Sequence, residues 1–273
     1  MCENPNEHGM VISPTSFSFT PIRGKAFTLI ELLVVIGIIA ILAALLGAAL
    51  SKSKAEALSI QCLSNLKQLQ TAWQMYIGDS GNVAPPNMYD KNDNSMSTIQ
   101  SLPGSWVLGN TRSDRTSSNI QKGVLFPYVK SVAVYHCPAD NSTVLETHGL
   151  LRFRSYSMSI QFNSDPGIDL FGPHPVTSLS QITNASALFL FLDENEMSID
   201  DGVFGIYPRP STEWCNLVSD RHLRGANLTF VDGHAQRWPW RWPKNFVNHN
   251  QPAANARDLL DLQQLQNAIP STF

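Results

Sequence analysis

An apolar run from Phe27 to Leu50 constrains this chain more than any other feature. A helix rises ~1.5 Å per residue, so these residues make a helix of about 36 Å, which can cross a hydrocarbon core of about 30 Å. The run contains one ionisable side chain, Glu31. A carboxylate in such a helix is costly in lipid unless it meets a cation or takes up a proton. The sequence therefore predicts a membrane-spanning segment at residues 27–50 that carries one unusual charge.

Two interpretations of Glu31 are open, because it lies near the start of the run. It is either a tolerated charge that reaches the membrane interface, or the partner of a positive charge created when the chain is cut before Phe27. The residues around the junction favour the second interpretation. Ile-Arg-Gly-Lys-Ala at 22–26, followed by Phe-Thr-Leu-Ile-Glu and the aliphatic run, resembles the prepilin peptidase site of type IV pilins and type II secretion pseudopilins.

This resemblance implies how the amino end is processed. A leader of residues 1–26 is removed between Ala26 and Phe27, and a prepilin peptidase/N-methyltransferase methylates the new amino terminus of Phe27. Glu31 is then the fifth residue of the mature chain and is implied to determine methylation and assembly. The chain departs from the family at Ala26, where a glycine is usual, and at Gly47–Ala48, where many members have a proline.

Charges beside the apolar run predict its orientation. Arg23 and Lys25 precede the run, and positive residues favour the cytoplasmic side of a membrane. The amino end is therefore expected in the cytoplasm, with a single pass through the bacterial inner membrane and the head in the periplasm or outside the cell. Lys52 and Lys54 on the far side weaken this bias.

Helical periodicity continues beyond the membrane segment, over residues 51–80. Apolar residues recur every three or four positions and form one face of an amphipathic helix, at Ala55, Leu58, Cys62, Leu66, Leu69, Trp73 and Tyr76. Polar residues occupy most other positions, and Gly-Asp-Ser-Gly at 78–81 ends the helix. We predict one helix from about Phe27 to Ile77, with its distal stripe covered by a sheet.

The remaining residues, 81–273, form the predicted globular head. Short segments rich in β-branched and aromatic residues, separated by Gly, Pro and Asn, predict strands, at Trp106–Leu108, Gly123–Tyr135, Phe153–Phe162, Ala187–Leu192, Val203–Tyr207 and Ala226–Val231. Residues 125–132 are also compatible with a short helix, and Ala253–Asn267 predicts a terminal one. The fold class is therefore α+β, a long amino-terminal helix packed on a β-rich head, which the resemblance to pilins also implies.

Charge and cysteine content limit the functions of the chain. The formal net charge is −3, without a basic stripe, so no nucleic-acid partner is predicted. Cys2 lies in the leader, and the other cysteines lie where disulfides form, which predicts one pair and one free thiol among Cys62, Cys137 and Cys215. The sequence leaves the pairing open. No C-x-x-C or Cys/His spacing indicates a zinc site.

The most distinctive pattern in the head is His-x9-Asp-Gly, formed by His222, Asp232 and Gly233. It resembles the prepilin-processing-associated His…Asp-Gly domain of bacterial pilin-like proteins, which the Cys-Pro-Ala-Asp at 137–140 also fits. Asp232 and Gly233 predict a tight turn after a strand, and His222 and Asp232 are expected to meet across a hairpin. The competing interpretation is a metal or hydrolytic site that includes His234. No nucleophile has a recognisable setting, so we predict no enzyme.

An acidic cluster follows the fourth predicted strand, at Asp193, Glu194, Glu196, Asp200 and Asp201. Calcium binds several carboxylate and carbonyl oxygens at one point, and secretion pseudopilins, which the chain resembles, use calcium in their heads. The spacing matches no EF-hand loop, and a run of charges more often forms a solvated face. We therefore predict no cofactor, with calcium at Asp193, Glu194, Asp200 and Asp201 as the alternative.

Three tryptophans near the end of the chain alternate with prolines and cations. They are Trp238, Trp240 and Trp242, beside Arg237, Arg241 and Lys244. An exposed patch of this kind stacks on sugars or contacts a partner subunit. The interpretation we favour is that the tryptophans pack on one face of an edge strand interrupted by Pro239 and Pro243.

Together these patterns predict a prepilin-like structural subunit of a type IV pilus-like or type II secretion pseudopilus filament, anchored in the inner membrane before assembly. Its partners would be the processing enzyme and other pilin or pseudopilin subunits. The alternative is a membrane-anchored binding module that uses the same anchor and presents its tryptophan-rich segment to a glycan or a secreted substrate.

Overall fold

One long helix, α1 (Leu29–Asp79), begins the described part of the chain. The computed structural model describes residues 28–90, 99–164, 171 and 175–270, so the leader and the predicted Ala26–Phe27 cleavage site lie outside it. The helix is unbroken at Gly47, where a proline would have interrupted its hydrogen bonds. It ends two residues later than predicted, where Gly81 adopts a φ of +64°.

The first of two units in the chain ends at Ala48. Its described side chains along α1 are exposed, including Leu29 at 75%, Ile41 at 64% and Leu46 at 69%. By length and composition α1 is able to cross a membrane. A contiguous exposed aliphatic surface of this kind needs lipid or another protein around it. The segment is consistent with a single-pass membrane anchor.

The second unit, Ala49–Phe273, contains a five-stranded mixed sheet. The strands in chain order are β1 (Tyr156–Ser159), β2 (Phe189–Asp193), β3 (Val203–Phe204), β4 (Glu213–Trp214), β5 (Gly225–Phe230), β6 (Ala235–Pro239) and β7 (Gln251–Pro252). The main sheet has the order β3-β1-β2-β5-β6, in which β1 and β3 are parallel and the other neighbours antiparallel. β4 and β7 form a separate antiparallel pair.

The apolar stripe of α1 is buried against one face of this sheet, as predicted. Cys62, Leu66, Leu69 and Trp73 are fully buried and share a core cluster with residues of β1 and β2, namely Tyr156, Met158, Leu190 and Phe191. Two polar contacts add to this packing, because the Asn227 side chain donates to the Ser59 carbonyl at 2.9 Å and Asn65 donates to the His136 carbonyl at 3.0 Å. Tertiary packing of one face therefore stabilises this half of the helix.

The opposite face of the sheet is covered by the predicted terminal helix, α4 (Ala256–Gln266). Its Leu262 and Leu265 share a second core cluster with Leu228 and Phe230 of β5. Alternate residues of a strand point to opposite faces, so Asn227, which precedes Leu228, points to the other face and reaches α1. The Asn255 side chain accepts hydrogen bonds from the first turn of α4 and caps it.

Two predicted strands are wrong. Residues 106–108 form no strand, because Trp106 is buried in a loop where its indole N–H donates to Asn87 Oδ1 and to the Gly202 carbonyl, each at 3.1 Å. Residues 123–135 form no strand, and the alternative of a short helix within 125–132 is confirmed. They form helix α3 (Phe126–Val129), which has a proline in its first turn, and the 3-10 helix Val132–Tyr135. Another short helix, α2 (Ser118–Gln121), precedes them. Three of the four remaining predicted strands are shorter than predicted, and the one predicted at Ala226–Val231 is shifted by one residue, to Gly225–Phe230.

The α1 stripe gives a direct test of this packing. Leu66→Ala removes a fully buried side chain and should lower the free energy of unfolding by about 2–5 kcal/mol. Ile60→Ala is the matched control on the same helix, since Ile60 is 68% exposed, and should change it by less than about 0.5 kcal/mol. Denaturant unfolding of the full chain in detergent measures both. Equal losses would contradict the assignment of the buried face.

Candidate functional site

The start of α1 is closed by a reciprocal pair of hydrogen bonds between Thr28 and Glu31. The Thr28 backbone N–H donates to Glu31 Oε2 at 2.9 Å, and the Thr28 hydroxyl donates to the same oxygen at 2.8 Å. The Glu31 backbone N–H donates in return to Thr28 Oγ1 at 3.2 Å. This is a capping box, which satisfies backbone donors that a helix start leaves unpaired. Both side-chain bonds end on Oε2, so the cap does not need Oε1.

A second site lies inside the head, where four buried side chains from distant segments converge. Cys62 comes from α1, Cys137 follows the 3-10 helix Val132–Tyr135, Asp193 ends β2, and His222 precedes β5. One sulfur, nitrogen or oxygen atom of each lies within 4.8 Å of the corresponding atoms of the others. His222 Nε2 is 3.3 Å from Cys137 Sγ and 3.2 Å from Asp193 Oδ2. We call these residues the Cys/His/Asp group.

The electrostatics of this group favour separated charges. Burial opposes the Cys137 thiolate, but hydrogen bonds to Cys62 and His222 outweigh it and lower the pKa of Cys137 to about 7. Burial likewise opposes the imidazolium, but the Asp193 and Cys137 contacts raise the pKa of His222 to about 9. Burial, followed by the contact with Cys137, raises the pKa of Cys62 well above its ordinary value.

Arg221 holds the carboxylates around this group. Its guanidinium lies 3.0 Å from Asp193 Oδ1, 3.1 Å from Asp140 Oδ2 and 3.0 Å from Glu196 Oε2. The Ser155 hydroxyl donates to Asp140 at 2.6 Å and accepts from the Cys137 backbone N–H at 3.1 Å. Sequence analysis missed the Cys/His/Asp group because its members are far apart along the chain and follow no ligand spacing.

Comparison with known families gives one match, to the prokaryotic N-terminal methylation motif, over residues 23–47. This segment contains the capping box and most of the apolar half of α1. The amino end is that of a prepilin-like protein. No match was found among curated proteins or among solved structures. The motif marks the chain as a prepilin-type substrate, and the resemblance of the head to a His…Asp-Gly domain stays a prediction.

The structure separates the residues of the His-x9-Asp-Gly pattern. His222 precedes β5 and belongs to the Cys/His/Asp group, whereas Asp232 follows β5 in the turn to β6. Asp232 accepts from the His234 backbone N–H at 3.0 Å and lies 2.6 Å from His234 Nδ1, and Gly233 has a φ of +95°. The predicted turn is therefore confirmed, but His222 and Asp232 do not meet across the hairpin.

The predicted acidic cluster is largely buried and is not a solvated face. Asp193 faces Arg221 and His222, while Glu194 accepts from Ser198 and Asn216, each at 2.8 Å. Asp200 and Asp201 are also buried, and they accept backbone N–H groups of the following turn. The four calcium candidates therefore already have different partners within the head.

The tryptophan-rich segment is mostly engaged within the head. Trp238 lies on the edge strand β6, as predicted, but the strand ends at Pro239, and Trp240 is buried with its indole N–H donating to the Ser219 carbonyl at 2.8 Å. Lys244 is buried too and pairs with Asp258 at 2.6 Å and Asp261 at 2.8 Å. Trp240 is therefore part of the core and presents no surface on which a sugar can stack.

Glu194 gives a pH-dependent prediction. Burial raises its pKa to about 8, so the folded head keeps it protonated where the unfolded chain has released the proton. The stability that this group contributes is complete below its unfolded pKa and is lost as the pH rises through the folded value. The loss is at most about 1.4 kcal/mol per pH unit. Glu194→Gln should therefore flatten the fall in unfolding free energy between pH 5 and about 8.

Unfolding titrations of the full chain at several pH values measure this effect. Glu146→Gln is the control, because the Glu146 side chain is 89% exposed and the variant should follow the unmodified protein. A Glu194→Gln profile that keeps the original slope would show that another group causes the pH dependence.

Proposed function

We propose that this chain is a structural subunit of a type IV pilus-like or type II secretion pseudopilus filament. The observation that carries the proposal is the methylation motif on an exposed apolar segment, residues 27–50 of the sequence, whose single ionisable side chain is Glu31 near its start. Before assembly the helix is held in the inner membrane, with the amino end in the cytoplasm and the head in the periplasm. The role is one of assembly, and no catalytic step is assigned to the head.

Assembly exchanges one apolar environment for another. In lipid the exposed side chains of α1 contact acyl chains, and in a filament the same side chains pack against neighbouring helices. Contacts of this head-to-tail kind do not close on themselves and therefore generate a helical filament. The aliphatic surface supplies contact area but does little to fix the axial alignment, or register, of neighbouring subunits, because it is similar at every turn of the helix.

Glu31 supplies the register in this proposal. Cleavage after Ala26 places a new positive amine at Phe27, four residues before Glu31, and the amine of one subunit pairs with Glu31 of a neighbour. In a medium of low dielectric such a pair is favourable only when both charges are matched. A subunit that is displaced along the filament axis leaves its amine and Glu31 unpaired, and this cost in free energy disfavours its incorporation.

Processing at Ala26 is the first prediction of this proposal. Protein extracted from membranes with active prepilin peptidase should begin at methylated Phe27, and protein made without the peptidase should begin at Met1. Ala26→Gly restores the residue that is usual in the family and should be cut at least as fast. Amino-terminal sequencing and intact mass report both. A chain that keeps residues 1–26 in the presence of the peptidase would contradict the pathway.

Two substitutions separate the cap of α1 from the charge of Glu31. Glu31→Gln keeps an oxygen that can accept from Thr28 and so retains the capping box, whereas Glu31→Ala loses cap and charge together. Loss of a buried pair costs about 3–5 kcal/mol, which is roughly a 100-fold or greater loss in subunit association. Both variants should therefore insert into the membrane and fail to assemble.

The measurement is the fraction of subunit in sheared filaments relative to the membrane fraction. Ser53→Ala, an exposed polar change on the same helix, is the control and should assemble normally. Normal filaments from Glu31→Gln would mean that Glu31 acts only as a helix cap.

A further inference from the structure

The Cys/His/Asp group has the geometry of a metal site. Zinc lies about 2.3 Å from sulfur and about 2.0–2.2 Å from nitrogen or oxygen, so the ligand atoms of a tetrahedral site are about 3.3–3.8 Å apart. His222 Nε2 lies 3.3 Å from Cys137 Sγ and 3.2 Å from Asp193 Oδ2, and the remaining separations are within 4.8 Å. Small side-chain shifts would complete a tetrahedron.

The Asp193 carboxylate gives an independent indication. This side chain is fully buried, and its Oδ2 lies 3.2 Å from His222 Nε2. A buried carboxylate needs a cation or a hydrogen-bond donor, and a metal ion bound to both side chains would take the place of the proton between them. Its other oxygen, Oδ1, is already held by Arg221 at 3.0 Å. Oδ2 is thus directed into the group, beside the sulfur of Cys137.

We propose that Cys62, Cys137, Asp193 and His222 bind one zinc ion, which joins α1 to the sheet of the head. The donors are two thiolates, one carboxylate and one neutral imidazole, a set that zinc accepts in four-coordinate sites. Three negative ligands around a divalent cation leave one excess negative charge beside the guanidinium of Arg221. That guanidinium also pairs with Asp140 and Glu196, so it offsets the excess charge only in part.

The site is structural and not catalytic. All four ligands come from the protein and are buried, whereas a catalytic zinc keeps one position open for water or substrate. The surrounding contacts also orient the ligands, because Tyr156 donates its hydroxyl hydrogen to Cys62 Sγ at 3.3 Å and Ser155 accepts from the Cys137 backbone. The ion would fasten the helix that carries the membrane anchor to β2 and the start of β5.

The first experiment measures zinc in the unmodified full chain, purified in detergent without added metal or chelator. Elemental mass spectrometry should find about one zinc per chain. Exchange with cobalt should produce the thiolate-to-metal charge-transfer bands and the intense visible bands of a tetrahedral ion. Because the ion binds only the folded state, free zinc at 100 times the dissociation constant should raise the melting temperature of the chelator-stripped protein by roughly 5–10 °C.

Variants then assign the ligands. Cys137→Ser and His222→Ala should each lose bound zinc and the cobalt bands, while Cys215→Ser, which removes the thiol outside the group, should keep both. Circular dichroism of each variant shows whether the head still folds, and the measurements on the unmodified chain do not depend on that outcome.

The competing arrangement is a disulfide between Cys62 and Cys137, in which an oxidant removes two hydrogens from the two thiols. Intact mass under non-reducing conditions distinguishes it, since the zinc protein keeps both hydrogens after denaturation and metal removal. A Cys62–Cys137 disulfide in protein taken from the membrane would overturn the proposal. Absence of zinc and of cobalt bands in the unmodified chain, or equal zinc in Cys137→Ser, would overturn it as well.

Discussion

The structure depends on the burial of one face of α1 against the sheet. Helix formation alone is weak in water, so the distal half of α1 is stabilised by the core that its stripe enters. Cys62, Leu66, Leu69 and Trp73 fill the space over β1 and β2. The amino-terminal half carries apolar side chains on every face and no such stripe. The two halves of the helix are therefore suited to different environments. The amino-terminal half is apolar on every face, and the distal half is apolar only on the face that packs against the sheet.

Polar groups inside the head are the second determinant of its structure. Lys244 and Arg154 are buried, the Arg221 side chain is only 11% exposed, and each is surrounded by carboxylates or carbonyl oxygens. A buried charge is tolerated only with such partners, since removal of one partner leaves the other unpaired in a low dielectric. These networks link β2, the segment before β5 and α4. They give the head specific contacts that apolar packing alone does not provide.

The two candidate sites have different roles in the proposed subunit. Thr28 and Glu31 cap the start of α1, and the proposed cleavage would create an amino terminus four residues before this carboxylate. The Cys/His/Asp group lies farther along the same helix, where α1 meets the sheet. The proposed metal ion would hold the distal part of α1 to the sheet at this junction. In these two proposals the site at the amino end would set the register between subunits, and the site in the head would stabilise the fold.

The sequence by itself determined the elements whose signals are local. Length and apolarity predict the membrane segment, a stripe with a helical period predicts the distal half of α1, and Asp232–Gly233 predicts its turn. The confirmed motif at the amino end is likewise one continuous stretch. Only the tertiary structure decided that 106–108 is a loop around a buried tryptophan and that the acidic cluster is internal. It also brought together Cys62, Cys137, Asp193 and His222, because residues far apart in sequence meet only when the sheet and α1 pack, and no local pattern records that contact.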